Sequence, residues 1–123
     1  MSEMPKPVRW IGSSRDDLRK FPEEVKDSIG IALRAAQTGR TAPCPKPFRV
    51  GKGSGVGVME IVEDFDTNTY RAVYTVKFRD VVYGLHCFQK KSKKGISTPK
   101  HDIELIEARL KRAEADYRQT QGG

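Results

Sequence analysis

The sequence predicts an α+β domain built on a small antiparallel β-sheet, with two helices before the sheet and one after it. Three observations lead there. Phe21, Val25, Ile29, Ala32, Leu33 and Ala36 recur at three-to-four spacing, the period of one helix face. Residues 56–90 hold three strand-like runs joined by short polar turns, and short connections imply an antiparallel meander. From Thr98-Pro99 the spacing becomes helical again, through Ile103, Ile106, Leu110, Ala113 and Tyr117.

Val8-Arg9-Trp10-Ile11 reads as a short first strand that Gly12-Ser13-Ser14 ends. Ser13 or Ser14 caps a short helix over about 15–20, with Asp16 and Asp17 in its first turn, where the helix dipole favours anions. Pro22 suits the start of a second helix over about 22–37, and Gly39 its C-terminal stop. Residues 40–55 contain three prolines and three glycines and read as a loop. Strands over about 56–63, 69–79 and 81–90 follow, with turns at Asp64–Asn68 and Arg79-Asp80. In the middle strand Tyr70, Ala72, Tyr74, Val76 and Phe78 share a buried parity, opposite the more polar Arg71, Val73, Thr75, Lys77 and Arg79. Thr98 caps the last helix, and Gln119–Gly123 are expected to fray. One domain accounts for residues 1–123, with an ordered core of about 8–117.

The charge is concentrated. Lys46, Arg49 and Lys52 lie in residues 45–55, and Lys90, Lys91, Lys93, Lys94 and Lys100 in residues 86–101, both segments without an acid. These eight cations exceed the net charge of +7, so the rest of the chain is slightly acidic. A polyanionic partner fits that distribution. No apolar run approaches the ~18 residues of a membrane span, and Met1–Lys6 has no signal-peptide core. Cys44 and Cys87 lack metal-site spacing and are too few for a disulfide framework, which suits a reduced, cytoplasmic setting.

Candidate groups follow from this map. Leu85–Gly95 begins as a strand and runs into four lysines, a charge run that is either a solvated turn or a phosphate-binding strand end. The glycine-rich stretch from Gly51 to Gly57 fits neither phosphate-loop pattern, and serves instead to let Lys52 approach a ligand. His86 is either a buried, hydrogen-bonded ring or a proton carrier near neutral pH, whereas His101 is a surface residue. Arg71 either pairs with a cross-strand acid such as Glu60 or aims its guanidinium at a phosphate. Two scattered histidines and two cysteines form no metal-ligand set, and no cofactor is expected.

Four stretches in order resemble the RelE/ParE toxin superfamily, in its phage-related HigB-like branch: Trp10–Leu18, Phe21–Val25, Tyr70–Tyr74, and His86–Lys94 followed by Thr98-Pro99. The resemblance covers about residues 8–115. It implies a small antiparallel sheet with two N-terminal helices packed on one face and a C-terminal helix. It also implies a type II toxin that cleaves mRNA on the ribosome without a metal, neutralised by a helix-turn-helix antitoxin of HigA/XRE type. The resemblance matches the family's middle-strand arginine with Arg71, its last-strand basic residues with Lys90 and Lys91, and its loop cation loosely with Lys52. From the chemistry of the residues themselves, Arg71 and Lys90 or Lys91 stabilise charge, His86 or a lysine of depressed pKa transfers the proton, and the clustered charge sets Lys46, Arg49, Lys93 and Lys94 beside Lys52 on the RNA. Related chains carry an arginine late in the strand after the glycine-rich loop, where this one has Val62. A ParE-like gyrase inhibitor and a catalytically weakened RNA- or ribosome-binding homologue are the alternatives.

Overall fold

Two apolar faces, one on each side of a single sheet, organise the chain. The computed structural model describes residues 5–40, 45–48, 57–91 and 99–122, with the side chains of 90, 91, 121 and 122 outside that description. In chain order the elements are β1 (Val8–Trp10), α1 (Ser14–Arg19), α2 (Glu23–Gln37), β2 (Lys46–Pro47), β3 (Val58–Phe65), β4 (Asn68–Thr75), β5 (Val82–Lys91) and α3 (Lys100–Gly122). The five strands lie in the order β1-β5-β4-β3-β2. Among the described residues no helix is long and apolar enough to cross a membrane.

The predicted meander is β3-β4-β5, antiparallel throughout. Asp66 and Thr67 turn the chain between β3 and β4, both with positive φ (52° and 69°), as a two-residue hairpin of that hand requires. The turn is thus shorter than the expected Asp64–Asn68, and Phe65 pairs with Asn68. β1 departs from the expected antiparallel sheet: it pairs parallel with β5, Val8 opposite Val82. It enters from the far side of two helices, so no tight turn reverses it against its neighbour. The segment expected as loop holds β2, antiparallel to β3, followed by buried Phe48.

On one face α2 lays Val25, Ile29, Ala32, Leu33 and Ala36 over Ile61, Tyr70, Ala72, Tyr74, Val82 and Cys87. Its end closes as the sequence predicts. Gly39, at φ 76°, donates its N–H to Ala36 and Arg40 donates to Ala35, satisfying carbonyls that the last turn leaves open. On the other face α3 packs Ile106, Leu110 and Ala113 on Val73, Tyr83, Leu85 and Phe88. This corrects the half-exposed reading of β4: Val73 and Thr75, which sit among charged neighbours in the sequence, are buried at 1% and 0% exposure. α3 also continues to Gly122 where fraying was expected. Its last turns are fastened by Tyr117 against Phe78 and by Asp116, which accepts from Tyr83 and Arg9, each at 2.6 Å.

Ser13 precedes α1 but does not cap it, since its hydroxyl meets the Asp17 carboxylate at 2.8 Å. Ser14 is buried instead, donating to the carbonyls of Ile11 and Gly84 and so tying α1 to the sheet.

Candidate functional site

The antiparallel register brings Arg71 close to the backbone of the basic end of β5. Arg71 on β4 stands opposite Val62 on β3 and Phe88 on β5. Two residues further, Thr69 pairs with Lys90, and then Asn68 with Lys91. Neighbouring strands lie about 4.8 Å apart, so the backbone at the basic end of β5 begins within a residue or two of Arg71. Lys46, on β2, is exposed and faces Glu60 across the β2–β3 ladder. Arg49, Lys52, Lys93 and Lys94 lie outside the described residues, as do the side chains of Lys90 and Lys91.

Arg71 does not present an open guanidinium. Its Nη1 donates to Glu60 Oε1 at 3.3 Å, and the two side chains are only 15% and 12% exposed. The cross-strand ion pair weighed from the sequence is therefore formed. Glu60 and Arg71 both lie on the α3 side of the sheet, the parity of Val58 on β3 and of Val73 on β4, so the carboxylate reaches diagonally across the ladder. Val62 sits directly across from Arg71.

His86 is also on the α3 side, at 6% exposure. Its ring stacks on Phe88, 4.6 Å between centroids at 17°, and its Nε2 lies 2.8 Å from Asp102 Oδ1. Arg109 Nη1 approaches Nδ1 at 3.5 Å, donates to the Leu85 carbonyl at 3.0 Å, and through Nη2 reaches Ser13. A guanidinium beside Nδ1 and a carboxylate beside Nε2 select the tautomer whose Nε2–H donates to Asp102. Burial pulls the His86 pKa below its ordinary 6.5, and this outweighs the upward pull of Asp102. The ring is thus neutral at pH 7 and occupied on both nitrogens. Of the two sequence readings, this geometry is that of the buried, hydrogen-bonded histidine, with no open edge for exchanging a substrate proton.

This network has a pH consequence. The unfolded ring, near 6.5, binds a proton more readily than the folded one. Its contribution to stability is therefore complete above about pH 6.5 and is lost as the pH falls from there through the lower folded value. Denaturant titrations at about pH 7.5 and about pH 5.5 are expected to show a loss on acidification that His86→Gln reduces. An equal loss in both proteins would remove His86 as the cause.

Asp102 and Arg109 were not singled out from the sequence. The available signal was their spacing of two helical turns on the flank of the Ile103–Ile106–Leu110 stripe, which sets both against β5. His101, read as a surface residue, is exposed.

Residues 16–111 match the family described as Phage derived protein Gp49-like (DUF891). Among solved structures, the toxin–antitoxin complex RelBE2 from Mycobacterium tuberculosis is similar at a TM-score of 0.44 and 19% identity, covering 74% of this chain and 98% of that chain. No curated protein matches the sequence. With the match spanning most of its length, the chain belongs to the phage-derived Gp49-like family, the RelE/HigB-like group that its sequence resembles.

Proposed function

We propose that this chain is the toxin of a toxin–antitoxin pair and that it acts as a ribosome-dependent endoribonuclease on mRNA. The observation that carries the reading is the register that sets Arg71 beside the start of the lysine-rich end of β5. Family membership and the four matching stretches support the same reading. The partner would be a helix-turn-helix antitoxin of HigA/XRE type, and the site of action the cytoplasm.

RNA brings its own nucleophile, the 2′-hydroxyl, so cleavage needs no metal. The protein must accept that proton, stabilise the charge added to the phosphate, and protonate the leaving 5′-oxygen. Arg71 and Lys90 or Lys91 supply positive charge to the phosphate. Glu60, hydrogen-bonded to Arg71, takes the proton as the phosphate displaces it from the guanidinium. A lysine of the β5 end protonates the leaving oxygen. His86 acts indirectly: with Asp102 it holds the first turn of α3 against Phe88. Lys46, Arg49, Lys52, Lys93 and Lys94 hold the RNA backbone.

A second reading has specific support. Val62 leaves one cation out of the site, and Glu60 partly neutralises Arg71, which suits a homologue that binds RNA or the ribosome without cutting. Primer extension on mRNA in a translation extract distinguishes the two. New 5′ ends are expected with the wild-type chain and none with the Arg71→Ala, Lys90→Ala, Lys91→Ala triple variant. Wild-type protein that co-sediments with ribosomes yet yields no new ends would favour the second reading. Inhibited supercoiling by gyrase without either result would favour the ParE-like alternative.

A further inference from the structure

On the α2 side of the sheet, two cations and the Tyr74 hydroxyl share the walls of a cavity of about 380 Å³. We propose that this cavity binds a small organic anion with an apolar body, of the class of aryl or short acyl carboxylates. Its apolar wall comes from Ala32 and Ala36 on α2, Met59 on β3 and Val76 just after β4. Alanine at two successive turns of the helix ends at Cβ, and the space that a longer side chain would fill stays open. Val76 is 40% exposed, so solvent reaches one wall.

Tyr74 is the buried polar group of this space, at 3% exposure. Buried tyrosine hydroxyls ordinarily find a hydrogen-bond partner, yet this one bonds to none of the described residues. The oxygen is not sealed inside protein either, so whatever satisfies it comes from the cavity. Burial pushes the phenol up to about 12, which keeps its proton in place at neutral pH. A neutral O–H donor in an apolar setting bonds most strongly to an anionic oxygen.

The charges point the same way. Lys6 and Arg40 stand on the walls, no carboxylate of the described residues does, and neither cation forms an ion pair with a described residue. The backbone holds both in place. Lys6 N–H donates to the Gln37 carbonyl at 2.8 Å, and Gln37 Nε2 donates to the Lys6 carbonyl at 2.6 Å. Arg40 N–H donates to the Ala35 carbonyl at 2.7 Å, past the left-handed Gly39. Lys6 Nζ spends one N–H on the Phe78 carbonyl at 3.3 Å and keeps two. The end of α2 contributes only about half a negative charge, so two full cations exceed what the helix dipole needs. A carboxylate meets the surplus.

The wall and the charges together define the occupant. A bare inorganic anion would leave the apolar wall wet, and a purely apolar molecule would strand the phenol and both cations. At about 30 Å³ for each non-hydrogen atom, the space takes about a dozen of them, the lower end of ligand pockets. The cavity lies on the sheet face opposite Arg71, so it does not depend on what the candidate RNA site does.

Backbone amide shifts of the purified chain, followed by NMR during titration with phenylbutyrate, test this. Saturable shifts are expected at Ala32, Ala36, Tyr74 and Val76, with a dissociation constant of about 1 mM, in keeping with a ligand of about a dozen atoms. Phenylbutylamine, with the same ring and the opposite charge, should bind at least about tenfold more weakly. Tyr74→Phe and Arg40→Glu should each weaken phenylbutyrate binding about five- to tenfold. Neither removes a side-chain hydrogen bond or ion pair within the described residues, so the melting temperature should not fall. An N-acetylated tripeptide ending in phenylalanine presents the same carboxylate and ring on a chain end. If it binds these residues more tightly than phenylbutyrate, the natural anion is the C-terminus of a peptide; if more weakly, a free acid, and either result upholds the site. Absent shifts, equal binding of acid and amine, or an affinity that both substitutions leave unchanged would overturn the proposal.

Discussion

Replacing Gly84 with alanine is expected to cost the fold about 2–3 kcal/mol, the upper range for adding a methyl group to a packed core. Gly84 lies near the start of β5, opposite Trp10 of β1. A Cβ there would stand 2.3 Å from Trp10 Cε3 and 2.5 Å from Cζ3, closer than atoms tolerate. Either the indole or the strand must move. The strand is pinned, because the Gly84 carbonyl accepts from Ile11 N and from Ser14 Oγ, both at 3.0 Å. The indole is packed among the residues that α1 and α2 cover. Stiffening of the unfolded chain by alanine returns only part of the loss, about 0.4–1 kcal/mol. Thermal melts should show a drop of roughly 10 °C. The cause is checked by a cycle with Trp10→Ala: once the ring is gone, Gly84→Ala should cost far less. Additive losses would place the strain elsewhere.

The elements themselves were legible in the sequence because each carries its own period. α2 shows its stripe in Val25, Ile29, Leu33 and Ala36, and the strands of the meander are joined by turns short enough to dictate their pairing. What was not legible depends on contacts distant in sequence. β1 pairs parallel to β5, more than 70 residues away, and no local pattern encodes that choice. The second buried face of β4 was hidden because Arg71 and Lys77 interrupt Val73 and Thr75, and burial there comes from α3. The site divides the same way. Arg71 and the basic end of β5 are readable by residue type, and their meeting follows from antiparallel order. The Arg71–Glu60 pair was one of two readings that the sequence left open, because cross-strand diagonals depend on a register that only the folded ladder sets. His86 gave no sign of its neighbours, since Asp102 and Arg109 come from a helix that begins beyond the basic segment.

Glu60→Gln should lower RNA cleavage about 100-fold or more while strengthening RNA binding, and this opposition separates the roles available to the Arg71–Glu60 pair. The amide keeps the shape of the carboxylate and can still accept from Arg71, so the sheet should hold, with unchanged melting behaviour. It removes the negative charge that competes with a phosphate for the guanidinium, which accounts for tighter binding. It also removes a basic oxygen from the acid paired with Arg71, which accounts for lost turnover. Arg71→Ala, by contrast, should weaken binding and reduce cleavage together, by about 100- to 1,000-fold in rate, since the charge added in the transition state loses a principal counter-ion. If Glu60 merely neutralised Arg71, as the non-cleaving reading holds, Glu60→Gln would tighten binding and cleavage would stay absent or appear for the first time. Measuring the dissociation constant for RNA and the single-turnover rate on both variants, beside the wild type, tells these cases apart. Tighter binding with slower cleavage identifies a proton acceptor, whereas tighter binding with faster cleavage identifies a restraint on the arginine.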